Sequence, residues 1–162
     1  MRSRMNPYFD NYMSTLTPAK QVLAKEAVQA YLAGESEGIE LLQSALEVWK
    51  KSRWLSDKEI EHFVVYYMKN NCRIIKSETI SFGGLDSTVV DVRVALKHAL
   101  LCDATCITCV HNHPSGSIKP SRYDDCLTEK IKRACETIGV KFIDHVIVTN
   151  NNYYSYQEEG KL

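Results

Sequence analysis

The segment that most limits what this chain can fold into is Thr105-Cys106-Ile107-Thr108-Cys109-Val110. It is uncharged, rich in β-branched residues, and breaks off at His111-Asn112-His113-Pro114. Such a run reads as a buried strand, and a buried strand needs other elements packed around it. Upstream, Phe63-Val64-Val65-Tyr66-Tyr67-Met68 reads as a strand from its β-branched and aromatic content. Asn70-Asn71 is a hairpin-type turn, and a further strand runs from Cys72 to Phe82, ended by Gly83-Gly84. A helix from about Val89 to Leu101 carries Val92, Leu96, Ala99 and Leu100 on one face, with Thr88 and Asp91 spaced as a capping box. Downstream of the buried run come a Pro/Ser/Gly loop, Pro114 to Pro120, and a helix from Ser121 to Ile138 stopped by Gly139. A strand from Lys141 to Thr149, an Asn150-Asn151-Asn152 turn and a short edge strand from Tyr153 to Tyr156 complete the set. The order ββαβαββ on one core predicts a three-layer α/β or α+β domain.

Ahead of these elements, Thr17-Pro18 opens a helix with proline in its first turn, running to about Leu32 and stopped by Gly34. A second helix, about Gly38 to Lys51, places Ile39, Leu42, Leu46 and Trp49 at helical spacing. Residues 1–15 read as a tail. The chain therefore divides into an N-terminal tail and helix, 1–34, and a main domain, 35–162. Its 162 residues suffice for one ordinary core and a short appendage.

Twenty basic and twenty acidic side chains cancel, so no global field draws the chain to nucleic acid or to a membrane surface. DNA stays a conceivable partner that the charge does not favour. No run reaches the roughly 18 to 20 apolar residues that span a bilayer, and Met1–Pro7 has no apolar stretch behind it. A cytoplasmic address is the default expectation. In that compartment the six cysteines are expected as thiols. Cys106 and Cys109 cannot share a metal, because residues three apart on a strand point to opposite faces. All six are read as small buried hydrophobes.

Chemistry concentrates in His111–Asp124. Residues two apart on an extended chain project to one side, so His111 and His113 can aim both imidazoles at one point, where a buried strand runs out. Ser121 is a natural N-cap, with Asp124 in the first helical turn. Counting on from Asp124, residues Leu127, Ile131, Ala134 and Ile138 follow at spacings of three and four, so Asp124 lies on the core-facing stripe. A carboxylate there needs a partner, since burying a bare charge costs several kcal/mol. Two imidazoles, one carboxylate and a fourth position left to water make a catalytic zinc site, in which water ionises near pH 7. Glu78 is the candidate general base. It shares a strand face with Ile74, Lys76, Ile80 and Phe82, and desolvation there would raise its pKa into a useful range. Lys76 on that same face signals a bulge or an imperfect alternation.

The pattern His-x-His, seven intervening residues beginning with Pro114, then Ser-x-x-Asp, with an upstream glutamate, resembles the JAMM signature of JAB1/MPN metallohydrolases. With Asp144-His145 it is similar to the RadC-like bacterial branch, over roughly Glu35 to Leu162. The resemblance implies a cytidine-deaminase-like fold, a mixed central sheet flanked by helices. It also implies Zn2+ on His111, His113 and Asp124, Glu78 as general base, and Ser121 as an oxyanion contact. The expected reaction is hydrolysis of a peptide or isopeptide bond in a peptide or protein substrate. RadC proteins often carry an N-terminal helix-hairpin-helix module; here only the short segment 1–34 precedes the domain, which weakens an inference of DNA repair. The competing readings are a DNA-processing factor using the same metal on phosphodiesters, and a non-catalytic interaction module. Residue by residue, Ser121 and Asp124 could be a plain capping box, and His145 a satisfied structural histidine instead of a partner to the ligands. Likewise Lys50, Lys51, Arg53, Lys130, Lys132 and Arg133 read as solvated faces.

Overall fold

The computed structural model describes residues 15–18, 20, 21, 40–83 and 89–162. Two compact units separate at Ile39/Glu40. In the first, the amide of Gln21 donates to the Thr17 carbonyl at 2.9 Å, one helical turn back. Most of the helix expected over 18–32, with Gly34, and the tail with Arg2 and Arg4 lie outside the described residues, as do Gly38, Ile39, Gly84 and Thr88.

The second unit is built on a five-stranded mixed sheet. Its elements are helix α1 (Ala45–Ser52), a short 3-10 turn (Arg53–Asp57), β1 (His62–Met68), β2 (Ile74–Phe82), α2 (Val92–Leu101), β3 (Cys106–Asn112), α3 (Arg122–Ile138), β4 (Lys141–Val148) and β5 (Tyr153–Ser155). The strand order is β2-β1-β3-β4-β5. Only β3 and β4 run parallel, and α3 is their crossover. This is the mixed sheet with flanking helices that the sequence predicts. Every residue of β3 is buried, as expected for the central strand.

Each face of the sheet carries its own apolar layer. Phe63, Val65, Tyr67, Ile107 and Cys109 pack beneath α2 and α3 with Ala95, Ala99, Leu127, Ile131 and Cys135. On the reverse, Val64, Tyr66, Met68, Cys106 and Val110 pack against Leu42, Ala45, Val48 and Leu55. Cys106 and Cys109 thus fall in different layers, as period-2 alternation demands.

Several expectations need correction. The helix foreseen from Gly38 begins at Ala45, because Leu41 bridges Arg73 as an extended residue and Ser44 caps the helix by accepting from the Glu47 amide. The helix foreseen from Val89 begins at Val92, where the Asp91 side chain accepts from the Arg93 amide. The hairpin turn continues through Cys72, whose φ of +64° delays β2 to Ile74. Three cysteines are buried (Cys106, Cys109, Cys135), Cys72 and Cys102 are half-buried and Cys126 is exposed; all six are free thiols. The bulge signalled by Lys76 is present. Register slips between Tyr67 and Met68 and again between Phe63 and Val64, so Ile74 packs on the α1 side while Ile75 and Ile80 join the α2/α3 layer. No helix of the described residues is long and apolar enough to cross a membrane.

Candidate metal centre

β3 delivers two of the site residues. His111 is the last residue but one of the strand and lies on the α2/α3 face, opposite Phe63 of β1 and Ile147 of β4. Asn112 points to the reverse. Its Oδ1 accepts from the His62 amide at 2.8 Å and its Nδ2 donates to the Ile60 carbonyl at 3.1 Å, which ties down the strand end. His113 returns to the face of His111. A turn then closes from the Gly116 amide to the His113 carbonyl at 2.9 Å, with Gly116 at φ +75°, a conformation costly for other residues. That reversal brings the Ser117 carbonyl within 2.8 Å of His113 Nδ1. A carbonyl can only accept, so Nδ1 carries the proton and Nε2 of neutral His113 is left bare.

The N-terminus of α3 delivers the carboxylate. Ser121 is the N-cap: its Oγ accepts from the Asp124 amide at 3.1 Å, and its own amide donates back to Asp124 Oδ2 at 2.7 Å. The Ser121 hydroxyl proton also goes to Oδ2, at 2.7 Å. The capping box therefore forms, and it orients Asp124 as well as starting the helix. Asp124 is 6% exposed and lies on the buried stripe with Leu127, Thr128 and Ile131.

These three side chains converge. His111 Nε2 stands 2.9 Å from His113 Nε2 and 3.2 Å from Asp124 Oδ1, and His113 Nε2 stands 3.5 Å from Asp124 Oδ2. Among the described residues this trio has ligand atoms close enough to hold one ion, all within 4.8 Å. Ligands at 2.0–2.1 Å around a tetrahedral zinc stand about 3.3–3.4 Å apart; the 3.2 Å from His111 to Asp124 Oδ1 is close to that value, and His113 meets the carboxylate through its other oxygen. The donor set fits a divalent metal in a second respect. Two ring nitrogens and a carboxylate oxygen this close repel unless a cation or a proton lies between them. In the metal-free chain a proton does part of that work. Burial depresses the His113 pKa, but the Asp124 carboxylate and the Ser117 carbonyl outweigh it and the net shift is upward. Burial likewise pushes Asp124 up, and the flanking imidazoles of His111 and His113 with the Ser121 hydrogen bond overcome it, holding Asp124 well below the ordinary carboxylate range.

His145 is the residue whose role sequence reading left open. It is fully buried in β4, stacked on Tyr156 at 5.2 Å and edge-on to Phe63 at 5.4 Å. It is satisfied, as the structural reading had it, and it also contacts a site residue: its Nε2 lies 2.8 Å from His111 Nδ1. Its Nδ1 lies 2.6 Å from Thr128 Oγ1. Burial, then the neighbouring His111, keep His145 neutral by lowering its pKa. Thr128 and Asn112 were not anticipated. The available signal for Thr128 was its place four residues after Asp124 on the core stripe, where a hydroxyl is out of keeping with Leu127 and Ile131.

Glu78 is not part of the cluster. It shares the α2/α3 face with His111, in register with Val65 of β1 and, one strand further, Cys109. Two strand spacings and two residues put its Cα about 12 Å from that of His111. The carboxylate bonds Lys76 Nζ at 3.0 Å and approaches His98 Nδ1 at 3.8 Å, leaning towards the Tyr67 row and away from His111. The raised pKa expected of Glu78 is therefore corrected: its side chain is 40% exposed, and the Lys76 hydrogen bond holds its pKa down.

Beside His113 opens a cleft of about 430 Å³, walled by Ser56, Ile118, Thr149 and the Asn150–Asn152 turn. The Ser56 hydroxyl oxygen is buried there with no hydrogen-bond partner among the described residues.

Comparison with known proteins agrees with this architecture. The model of the family described as RadC-like JAB domain matches residues 40–161. A UPF0758 protein of Streptococcus gordonii strain Challis is 44% identical over 126 residues, which cover 78% of this chain and 56% of that protein. A UPF0758 protein of Streptococcus pyogenes serotype M49 is 40% identical over 138 residues, 85% of this chain and 61% of that protein. The chain thus spans well under two thirds of the length of these relatives.

Proposed function

The chain belongs to the RadC-like JAB domain family, and from that premise we propose that it is a metal-dependent hydrolase of JAMM type, acting on peptide or isopeptide bonds. The observation that carries the reading is the donor set: His111, His113 and Asp124 bring two ring nitrogens and a carboxylate to one point from two different elements. When bound there, a divalent ion such as zinc brings the pKa of a water towards 7 and polarises a carbonyl.

The chain's own residues divide the remaining work. His111 and His113 bind through Nε2, and the Nδ1 proton of His113 is committed to the Ser117 carbonyl. Asp124 binds and is oriented by Ser121. In this reading the Ser121 hydroxyl turns its single proton from Asp124 Oδ2 to the oxygen of the scissile carbonyl, leaving the Ser121 amide to orient Asp124. Glu78 takes the proton of the attacking water and returns it to the leaving amine, after its carboxylate turns from Lys76 towards the site. The cleft beside His113 would seat the flanking substrate. Neither lysine nor arginine is among its lining residues, and its hydroxyls and amides suit a neutral peptide backbone better than a phosphodiester. That favours the amide substrate over the DNA reading.

The test is metal content by elemental analysis of freshly purified wild type and Asp124→Ala, followed by a panel of peptide and isopeptide substrates. About one metal ion per chain, absent from the variant, is the expected result. A wild type that holds none even after zinc is supplied would sink the hydrolase reading and promote the interaction module.

A further inference from the structure

We propose that Thr128 and His145 are positioning residues that set the tautomer of His111, so that its Nε2 faces the metal position as a bare lone pair. The inference rests on the metal reading of the site but is argued from the hydrogen-bond chain behind it.

The chain starts at a group with one possible role. The Asp124 backbone carbonyl can only accept, and Thr128 Oγ1 lies 2.6 Å from it, so the single hydroxyl proton of Thr128 is committed there. Thr128 stands four residues after Asp124, and this bond is the usual back-bond of a helical threonine. The other contacts of Thr128 Oγ1 are His145 Nδ1 at 2.6 Å and the Tyr156 hydroxyl, whose own proton goes to Asp125 Oδ1, so Thr128 Oγ1 accepts from His145 Nδ1. A neutral imidazole carries one N–H, so His145 Nε2 has none and accepts from His111 Nδ1 at 2.8 Å. His111 consequently keeps its proton on Nδ1, and its Nε2, facing His113 Nε2 and Asp124 Oδ1, has none. Tyr156 stacked on one side of the His145 ring and Phe63 edge-on to it hold the ring in place. Running the chain the other way would break the bond to the Asp124 carbonyl and put a proton on the atom that must bind the metal. The helix that supplies one ligand thereby sets the protonation of another on a neighbouring strand.

The experiment uses the full chain labelled with 15N-histidine. Long-range 1H–15N spectra of the metal-free protein report each ring tautomer, and competition titration with Zn2+ alone reports affinity. In the wild type His111 is expected as the Nδ1–H form. Thr128→Val, isosteric but without the hydroxyl, should populate the Nε2–H form of His111 and weaken zinc about 10- to 100-fold, and Thr128→Ser should restore both. Should Thr128→Val not fold, His145→Gln, whose Oε1 can still accept from His111, is to be compared with His145→Leu; only the second should lose the tautomer and the affinity. An Nε2–H form of His111 in the wild type, or a folded Thr128→Val with unchanged tautomer and zinc affinity within threefold, would overturn the proposal. A wild type that binds no zinc sinks the metal reading instead, and the tautomer spectra still decide this one.

Discussion

If the three donors are a metal site, zinc should stabilise this chain, and removing Asp124 should abolish the effect while sparing the metal-free fold. A ligand that binds only the folded state, at one hundred times its dissociation constant, adds about 2.7 kcal/mol. For a unit the size of Glu40–Leu162, each kcal/mol moves the melting temperature by about 4 °C, so the wild type should melt about 10 °C higher with zinc. In Asp124→Ala the backbone amide at 124 can still donate to Ser121 Oγ; the carboxylate's two bonds from Ser121 and its pairing with His113 are lost, and the relieved desolvation of a buried charge offsets part of that loss. The metal-free variant should therefore give up about 1 kcal/mol, or some 4 °C. Differential scanning calorimetry with zinc and with chelator on both proteins gives the four melting temperatures needed. If zinc raised both proteins equally, the ion would lie elsewhere, on thiols for instance, and the assignment to His111, His113 and Asp124 would fail.

Zinc must displace the proton that His113 holds beside Asp124. A raised folded pKa means that this proton stabilises the metal-free fold fully below the ordinary histidine value, and that the contribution is lost as pH rises through the folded value. Zinc affinity should therefore climb about tenfold per pH unit below the His113 pKa and level off above it; a flat profile by calorimetric titration between pH 5.5 and 8 would contradict the shared proton. Asp144 accepts from the His145 and Gln157 amides at 2.7 and 3.0 Å and from the Ser155 hydroxyl at 2.6 Å. Asp144→Ala should cost about 3 kcal/mol in urea denaturation and Asp144→Asn, which keeps an acceptor, clearly less; equal losses would argue against this network. On any substrate found, Glu78→Gln should retain the metal and lose turnover at least a hundredfold, whereas His113→Ala should lose both. Full activity in Glu78→Gln would remove Glu78 as the base.

The sequence was most legible where period and chemistry agree. The uncharged run before His111 gave the central strand, the stripe from Asp124 to Ile138 gave the buried face of α3, and the two together bring His111, His113 and Asp124 to one place. The surroundings of Glu78 were misjudged for a physical reason. Two bulges in the β1–β2 pairing put Ile74 on the opposite face, and a partner two residues away, Lys76, outweighs what desolvation remains. Lys76 signalled a bulge, but where the register slips depends on pairing, which a single strand's alternation cannot locate. Thr128 and Asn112 escaped for another reason: their partners His145, Ile60 and His62 lie 17, 52 and 50 residues away. The early start given to α1 reflects the same limit, since the bridge from Leu41 to Arg73 overrides a helical pattern in residues that precede it.

All three donors fall within the fourteen residues His111–Asp124, and that economy of chain has a thermodynamic side. Closing so short a loop costs little entropy, and the cost grows only as the logarithm of loop length. The stretch is therefore a modest chelator on its own, with no sheet to support it. Any affinity it retains in the unfolded ensemble subtracts from the stabilisation that zinc gives the folded one, so the 10 °C above is a ceiling. A synthetic peptide of these fourteen residues that ignored millimolar zinc would remove the correction. What the folded domain adds is selectivity of form: Thr128, His145 and Ser121 leave the ring nitrogens and the carboxylate only one arrangement, where the free peptide would sample many.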